Sequence, residues 1–126
     1  MTIDPSERLS HFIMNDKEVR RSDWTVKFRA FMPPKSKRLS VYRTSTLGED
    51  IIWSIGTRFV AEPQCKTLFG RADLFAREVY ELGQRIEPET SLHCLHANII
   101  PWPETRDEIQ FLATQLALRS KFIPVK

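Results

Sequence analysis

Apolar and polar residues alternate most regularly over residues 24–32. The apolar members of this segment stand at every second position: Trp24, Val26, Phe28, Ala30 and Met32. A period of two predicts a β-strand with one buried face. A second alternating segment covers residues 39–44, after the break at Pro33 and Pro34. We expect the two strands to pair as a hairpin whose loop is residues 33–38.

Four helices are predicted from capping signals and from apolar residues three and four positions apart. The most secure follows the capping box that Thr105 opens, and its apolar stripe comprises Ile109, Leu112, Ala113, Leu116 and Ala117. The same signals predict a first helix over residues 4–15 and a short helix over residues 46–56. A further helix is predicted over residues 73–82, where Gly83 stops it.

The remaining apolar segments predict three further strands, over residues 66–69, 84–87 and 92–100. Helices and strands then follow one another in a mixed order, which is typical of an α+β domain. We expect a single α+β domain over residues 1–126, with a small mixed or antiparallel sheet and helices packed on one face. Within it, residues 1–44 form a basic helix-hairpin region and residues 45–126 a more acidic α/β remainder.

Length and composition indicate one small domain in a reducing compartment. A chain of 126 residues, of which 41% are hydrophobic, can build one core without disulfides or metal. Its two cysteines, Cys65 and Cys94, stand at no metal-binding spacing. The first residues lack the basic and apolar regions of a secretory signal, and no apolar run reaches about 18 residues. We therefore expect a small soluble, cytoplasmic protein with no membrane association, no metal and no cofactor.

Positive charge is concentrated in the predicted hairpin. Residues 17–43 contain nine Lys or Arg and two acidic residues, whereas residues 44–126 contain nine basic and eleven acidic residues. A clustered basic surface attracts phosphate groups or an acidic protein surface. The tyrosine of the hairpin adds a ring on which a base can stack. The candidate binding residues are Lys27, Arg29, Lys35, Lys37, Arg38 and Tyr42.

The basic surface favours a non-catalytic binding or accessory module that engages an acidic protein partner or nucleic acid, for example as a subunit of a larger complex. The competing interpretation is that these charges only solvate the exposed side of a two-stranded ribbon. No RNP aromatic motif, GXXG loop or zinc-finger spacing accompanies them. The sequence therefore predicts the surface and leaves the class of partner open.

A second group of candidate residues lies in the predicted strand 92–100. On that strand Cys94, His96 and Asn98 fall on one face. Cys94 and His96 would stand about 6.5–7 Å apart, too far for a nucleophile and its base. The alternative function is a small transferase or hydrolase for a phosphate-bearing or nucleotide-like substrate, with His96 as acid or base beside Asn98. A histidine hydrogen-bonded within the sheet is the structural alternative.

Two other features complete the candidate sites. In the enzyme hypothesis Arg43 or Arg71 holds the anionic group, and Arg71 follows a glycine whose backbone amide would lie nearby. Trp102 is held between Pro101 and Pro103, which fix the backbone on both sides of it. Its ring either closes the core or serves as a preorganised anchor for a ligand or partner.

Overall fold

The computed structural model describes residues 2–125, and that part of the chain contains a six-stranded sheet, a two-stranded ribbon and three α-helices. The strands are β1 Arg8–Ile13, β2 Val19–Arg20, β3 Thr25–Val26, β4 Leu39–Arg43, β5 Gly70–Phe75, β6 Arg85–Pro88, β7 His96–Ile100 and β8 Lys121–Pro124. The helices are α1 Glu49–Ile55, α2 Ala76–Glu81 and α3 Arg106–Arg119. Short 3-10 turns at Asp16–Glu18, Phe28–Phe31 and Glu62–Gln64 and a π-helical segment at Gly56–Ala61 connect them.

The large sheet has the strand order β6-β7-β4-β1-β5-β8, and each neighbouring pair is antiparallel. β1 and β4 are therefore its central strands, although they are the first and second strands of this sheet along the chain. β2 and β3 form the separate ribbon. This architecture confirms the expected α+β class and the antiparallel form of the sheet.

The main core lies on one face of the sheet. Leu9 and Ile13 of β1 point into it, and α3 covers it together with the 3-10 turn Phe28–Phe31. The Thr105 side chain caps α3 by accepting a hydrogen bond from the backbone N–H of Glu108 at 3.3 Å. The residues of α3 that are buried on this face are Ala113, Leu116 and Ala117. The helix predicted after Thr105 is thus confirmed.

A second, smaller core lies on the opposite face of the sheet. Because side chains alternate along a strand, Phe12 and Tyr42 point away from the main core. They pack there against Ile52 and Ile55 of α1. Helices therefore contact both faces of the sheet, and the expected packing on one face is not confirmed.

The helix predicted over residues 4–15 is wrong, since β1 occupies most of that segment and pairs with both β4 and β5. A central strand is buried on both faces, so apolar residues need not alternate along it. Leu9, Phe12 and Ile13 are all buried for this reason. Their spacing of three and four resembles the stripe of a helix, which explains the error.

The hairpin predicted between residues 24–32 and 39–44 is also wrong. Within the first segment only Thr25–Val26 is a strand, and it pairs with β2. The backbone of Trp24 is left-handed, with φ of +59°, and Phe28–Phe31 forms a 3-10 turn against α3. β4 does form at Leu39–Arg43 but pairs with β1 and β7. The helix-hairpin description of residues 1–44 is therefore replaced by strands of two different sheets.

Several other boundaries shift. The strand predicted at residues 66–69 is wrong, since β5 begins only at Gly70, and α2 begins three residues later than residue 73. Gly83, with φ of +79°, follows α2 as predicted, because glycine adopts this left-handed backbone without strain. The strand predicted at 84–87 is confirmed as β6, whereas β7 covers only the second half of residues 92–100. The last strand, β8, was not predicted from the sequence.

Candidate functional site

A cleft opens near the middle of the sheet because its two central strands separate. β1 and β4 pair only at Leu9 with Arg43 and at Ser10 with Tyr42. Beyond Ser10, β1 continues to pair with β5 and β4 continues to pair with β7. Each central strand thus follows its outer neighbour, and the space between them is part of a cleft of about 370 Å³.

His11 spans the gap between the separated strands. Its Nδ1 donates a hydrogen bond to the Ser40 carbonyl oxygen at 2.8 Å, since a carbonyl oxygen can only accept. Burial lowers the pKa of His11, although the backbone carbonyl groups of Ser40 and Ala30 oppose this effect. His11 is therefore neutral at neutral pH, and it fixes the backbone of Ser40 from the neighbouring strand.

The lining of the cleft combines charged, hydrogen-bonding and apolar groups. Its polar members are His11, Glu18, Arg29, Arg38, Ser40, Tyr42, Gln64 and His96. The apolar members include Phe12, Met14, Met32, Phe59, Val60 and Leu92. Phe59 and Val60 belong to the π-helical segment, a backbone form that is frequent at functional sites. The cleft is suited to a molecule with one anionic and one apolar part.

Ser40, His96 and Glu89 form a hydrogen-bonded chain along the cleft. His96 Nε2 lies 3.0 Å from Ser40 Oγ, and His96 Nδ1 lies 2.8 Å from the Glu89 carbonyl oxygen. Because that carbonyl can only accept, Nδ1 carries the proton of the neutral imidazole and Nε2 accepts from the Ser40 hydroxyl. A serine hydroxyl thus lies against a potential general base that a third group orients.

The Glu89 carboxylate reinforces this chain. Its Oε2 lies 3.4 Å from His96 Nδ1. Hydrogen bonds from Ser91 and, to a smaller extent, the interaction with His96 lower the pKa of Glu89. The carboxylate therefore stays ionised near neutral pH and would stabilise a positive charge on His96.

Aromatic rings pack around His96. The Tyr42 ring contacts the His96 ring edge-on, with a centroid distance of 5.2 Å. The Phe12 ring contacts the other side chain of this pair, Tyr42, at a centroid distance of 5.7 Å. Burial raises the pKa of Tyr42, so its hydroxyl remains protonated at neutral pH. Phe59 and His93 form a further edge-on pair at 4.8 Å. His96 is 6% exposed, and the Tyr42 ring, itself packed against Phe12, limits its movement.

Asn98 lies directly opposite Ser40 in the β4–β7 pair. Opposite residues on neighbouring antiparallel strands place their Cβ atoms about 4.5–5.5 Å apart on the same face of the sheet. Asn98 is 5% exposed, and its side-chain amide makes no hydrogen bond within residues 2–125. An amide donor thus lies beside the serine hydroxyl and has no partner in the described chain.

Two guanidinium groups and one carboxyl group set the charge of the cleft. Arg29 and Arg38 are exposed, and Arg38 forms no ion pair within the described residues. Burial raises the pKa of Glu18, whereas the charges of Lys66 and Arg29 act to lower it. One carboxyl group can compensate at most one of the two guanidinium charges of the lining, so an anionic ligand is favoured over a cationic one.

The arginines predicted as anion clamps lie elsewhere. Arg43 belongs to the face opposite Tyr42 and His96, and its Nε donates to Glu7 Oε1 at 3.2 Å. Arg71 is 2% exposed and binds both carboxylate oxygens of Glu49 at 2.9 and 3.1 Å. The structure does not bring either arginine together with His96 at the cleft.

Arg71 is the centre of a closed polar cluster between the sheet and α1. Its Nε donates to Asp73 at 3.0 Å, and its guanidinium lies 4.7 Å from the centre of the Trp53 ring. The Ser10 hydroxyl donates to the same Asp73 at 2.7 Å and lies 2.9 Å from the Thr44 hydroxyl. Its charged groups and hydroxyl groups are all paired, so this cluster is structural, although the buried Trp53 Nε1 has no hydrogen-bond partner within residues 2–125.

The remaining predicted binding residues are dispersed. Lys27 is half-buried and Lys35 is exposed, and neither lines the cleft. Lys37 donates to Glu104 at 3.2 Å, which neutralises part of the expected basic surface. Trp102 is buried, and its Nε1 donates to the Ile99 carbonyl oxygen at 2.9 Å, as in a ring that closes the core.

His96 was predicted from the sequence as a site residue, whereas Ser40, Glu89 and His11 were not. The pairing of His96 with Ser40 depends on the β4–β7 register, which no local sequence pattern reveals. Glu89 approaches His96 because the chain turns between β6 and β7, where the Glu89 N–H also donates to the His96 carbonyl oxygen. Cys94 is exposed and precedes β7, so it does not share a strand face with His96.

A larger depression of about 560 Å³ lies around Asn15, Arg21, Lys66 and neighbouring residues. Its lining contains polar and apolar groups but no histidine or serine. The smaller cleft therefore holds the more reactive set of side chains, and we take it as the candidate site.

Comparisons of the chain with protein-family models, curated proteins and solved structures find no match. Within residues 2–125 no helix has the length and apolar character needed to cross a membrane. In the same part of the chain no group of three or more His, Cys, Asp or Glu residues is arranged to hold a metal ion. The candidate site is thus defined by its geometry.

Proposed function

We propose that the protein binds a small amphipathic anion, with a phosphate or carboxylate group and an apolar part, in the cleft between β1 and β4. The observation that carries this proposal is the separation of the two central strands. It makes a concave site whose lining includes both Arg29 and Arg38 and apolar side chains such as Phe59 and Leu92.

The charges support an anionic group in the ligand. Guanidinium groups bind phosphate and carboxylate through paired N–H donors, and Arg38 has no competing carboxylate among residues 2–125. The neutral state of His11 leaves the arginines as the principal cations of the cleft. The Leu92 side chain, which is 69% exposed, would become buried against the apolar part of the ligand.

Isothermal titration with hexyl phosphate tests this proposal, with inorganic phosphate and hexanol as the two partial ligands. We expect hexyl phosphate to bind more tightly than either. Arg38→Gln should weaken its binding by about tenfold or more, since a charge-assisted hydrogen bond contributes about 1.5–3 kcal/mol. Lys35→Gln is the matched control outside the cleft and should leave binding unchanged. Equal loss in both variants would contradict a localised site.

A second candidate is the binding or accessory module that recognises an acidic protein partner or nucleic acid. It is favoured by the exposure of Lys35 and Arg38 on one loop ahead of β4. This candidate predicts the opposite pattern, because a polyanion contacts the whole basic surface. Lys35→Glu should then weaken binding to heparin or to a single-stranded oligonucleotide as much as Arg38→Glu does.

A further inference from the structure

We propose that Ser40 is a nucleophile activated by His96, and that the protein transfers or hydrolyses the acyl group of an ester. The substrate class rests on the proposed function, since the ester would be the amphipathic anion of the cleft. The assignment of Ser40 as the nucleophile rests on different observations, which are the hydrogen bonds among Ser40, His96 and Glu89.

The first support is the direction of the hydrogen bonds. His96 Nδ1 must donate to the Glu89 carbonyl oxygen at 2.8 Å, so His96 Nε2 is the atom that accepts the Ser40 proton at 3.0 Å. This is the tautomer that a general base for serine requires. The backbone of Ser40 is held in addition by the hydrogen bond from His11 to its carbonyl oxygen.

The second support is the contrast in exposure along the chain of hydrogen bonds. Ser40 is exposed, whereas His96 is 6% exposed and enclosed by Tyr42. A substrate in the cleft can therefore reach the hydroxyl, which bonds a largely buried base. The partner of His96 Nε2 thus belongs to a residue that lines the cleft.

The reaction balances without a further reactant other than water or an acceptor alcohol. Ser40 Oγ forms a bond to the acyl carbon while its proton passes to His96 Nε2. The bond from the acyl carbon to the alkoxy oxygen then breaks, and His96 gives the proton to that oxygen, so an alcohol leaves. Water, or a second alcohol, attacks the acyl-Ser40 carbon; His96 takes its proton and returns it to Ser40 Oγ as the acid or new ester departs.

Two neighbouring groups suit the charges that this reaction develops. The Asn98 side chain lies on the same sheet face opposite Ser40 and can donate to the negative oxygen of the tetrahedral intermediate. The Glu89 carboxylate, 3.4 Å from His96 Nδ1, stabilises the imidazolium and keeps the ring oriented. Glu89 is thus a positioning residue, and Asn98 acts on the reacting atoms.

The test is covalent labelling by an alkyl fluorophosphonate, measured by intact mass and peptide mapping. We expect one adduct on Ser40 with loss of fluoride. Ser40→Ala should abolish the adduct, whereas Ser36→Ala, which removes an exposed serine outside the cleft, should label at the wild-type rate. His96→Gln should slow labelling by about 100-fold or more, the range of general-base catalysis.

Glu89→Gln supplies a second, independent measurement, since Glu89 lies at the surface and its replacement preserves the size of the side chain. We expect a lower maximal labelling rate at an unchanged half-saturating probe concentration, which a merely structural role would not produce. Labelling that persists in Ser40→Ala, or equal rates in wild type and Glu89→Gln, would overturn the proposal.

Binding of hexyl phosphate to Ser40→Ala separates the two proposals. If this variant binds hexyl phosphate as the wild type does while the wild type takes up no fluorophosphonate, the nucleophile is wrong and the binding site stands. If the wild type labels on Ser40 but hexyl phosphate does not bind, the nucleophile stands and the assigned ligand class is wrong.

Discussion

Two polar clusters lie on the same face of one sheet and differ in how fully their groups are used. The first, the closed cluster, consists of Arg71, Asp73, Glu49, Ser10 and Thr44 beneath α1. The second, the open cluster, consists of Ser40, His96, Glu89, Tyr42 and Asn98 beside the cleft. In the closed cluster charges pair with charges and hydroxyl groups fill the remaining positions. In the open cluster the Ser40 hydroxyl faces the cleft, and the Asn98 side-chain amide has no hydrogen-bond partner within residues 2–125.

This difference in hydrogen bonding distinguishes structural polar residues from reactive ones. Arg71 is strongly held, and a phosphate could bind it only after displacing Glu49. Ser40 loses little by turning toward a ligand, since water in the cleft can replace it at His96. The closed cluster also borders a cavity, of about 300 Å³, but its charged groups there are paired with one another. A hydroxyl group that bonds a histidine and faces a cavity, more than residue type, therefore marks the candidate site.

The largest expected effect is in the closed cluster. Arg71→Met should lower the free energy of unfolding by about 3 kcal/mol or more, because it leaves the carboxylates of Asp73 and Glu49 without their cation. Urea unfolding measures the change. Arg77→Met is the matched control on the surface and should cost less than about 0.5 kcal/mol. A small loss for Arg71→Met would mean that the closed cluster is not the structural element described above.

A smaller effect on the free energy of unfolding is expected when each of two serines, Ser10 and Ser40, is replaced by alanine. Ser10→Ala removes a buried hydroxyl that serves Asp73 and Thr44, so it should cost about 1–2 kcal/mol in urea unfolding. Ser40→Ala should cost less than about 0.5 kcal/mol, since its hydroxyl faces the cleft. Equal losses would remove the distinction between the closed and open clusters.

The smallest effect concerns pH and His11, which spans the gap between β1 and β4. Burial lowers the pKa of His11 below its ordinary value of 6.5, so the unfolded chain takes up a proton at a higher pH than the folded chain. The contribution of His11 to stability is therefore complete above pH 6.5 and is lost as the pH falls below it. Thermal unfolding between pH 7.5 and about 5 should show this loss.

A variant of His11 checks the assignment of that pH effect. His11→Gln should flatten the pH dependence in this window. The acids with lowered pKa values, such as Asp4 and Glu89, act in a separate window at lower pH. An unchanged slope in His11→Gln would show that another group carries the effect.

Local signals in the sequence predicted those parts of the fold that depend on neighbouring residues. The cap at Thr105 and the helix stop at Gly83 depend on residues within one helical turn, and both were predicted correctly. β4 was also predicted, since its alternation is read directly from the chain. Its partners were not, because the pairing of β4 with β1 and β7 joins residues more than 30 positions apart.

The candidate site was predictable only in part for the same reason. His96 and Asn98 drew attention through their residue types, and the structure places both on one strand face. Ser40 stands 56 positions from His96, and only the β4–β7 register brings them together. The arginine partners were misassigned because side-chain type alone does not distinguish the ion-paired Arg71 from the exposed Arg38.

The short junction between β1 and β4 divides the large sheet into two strand trios, β6-β7-β4 and β1-β5-β8. The trios interleave along the chain, since β4 lies between β1 and β5 in sequence and β8 follows β7. No single break between β1 and β8 therefore yields a fragment that holds the β1-β5-β8 trio whole. The molecule is therefore expected to unfold in one cooperative step, since neither trio is continuous in sequence.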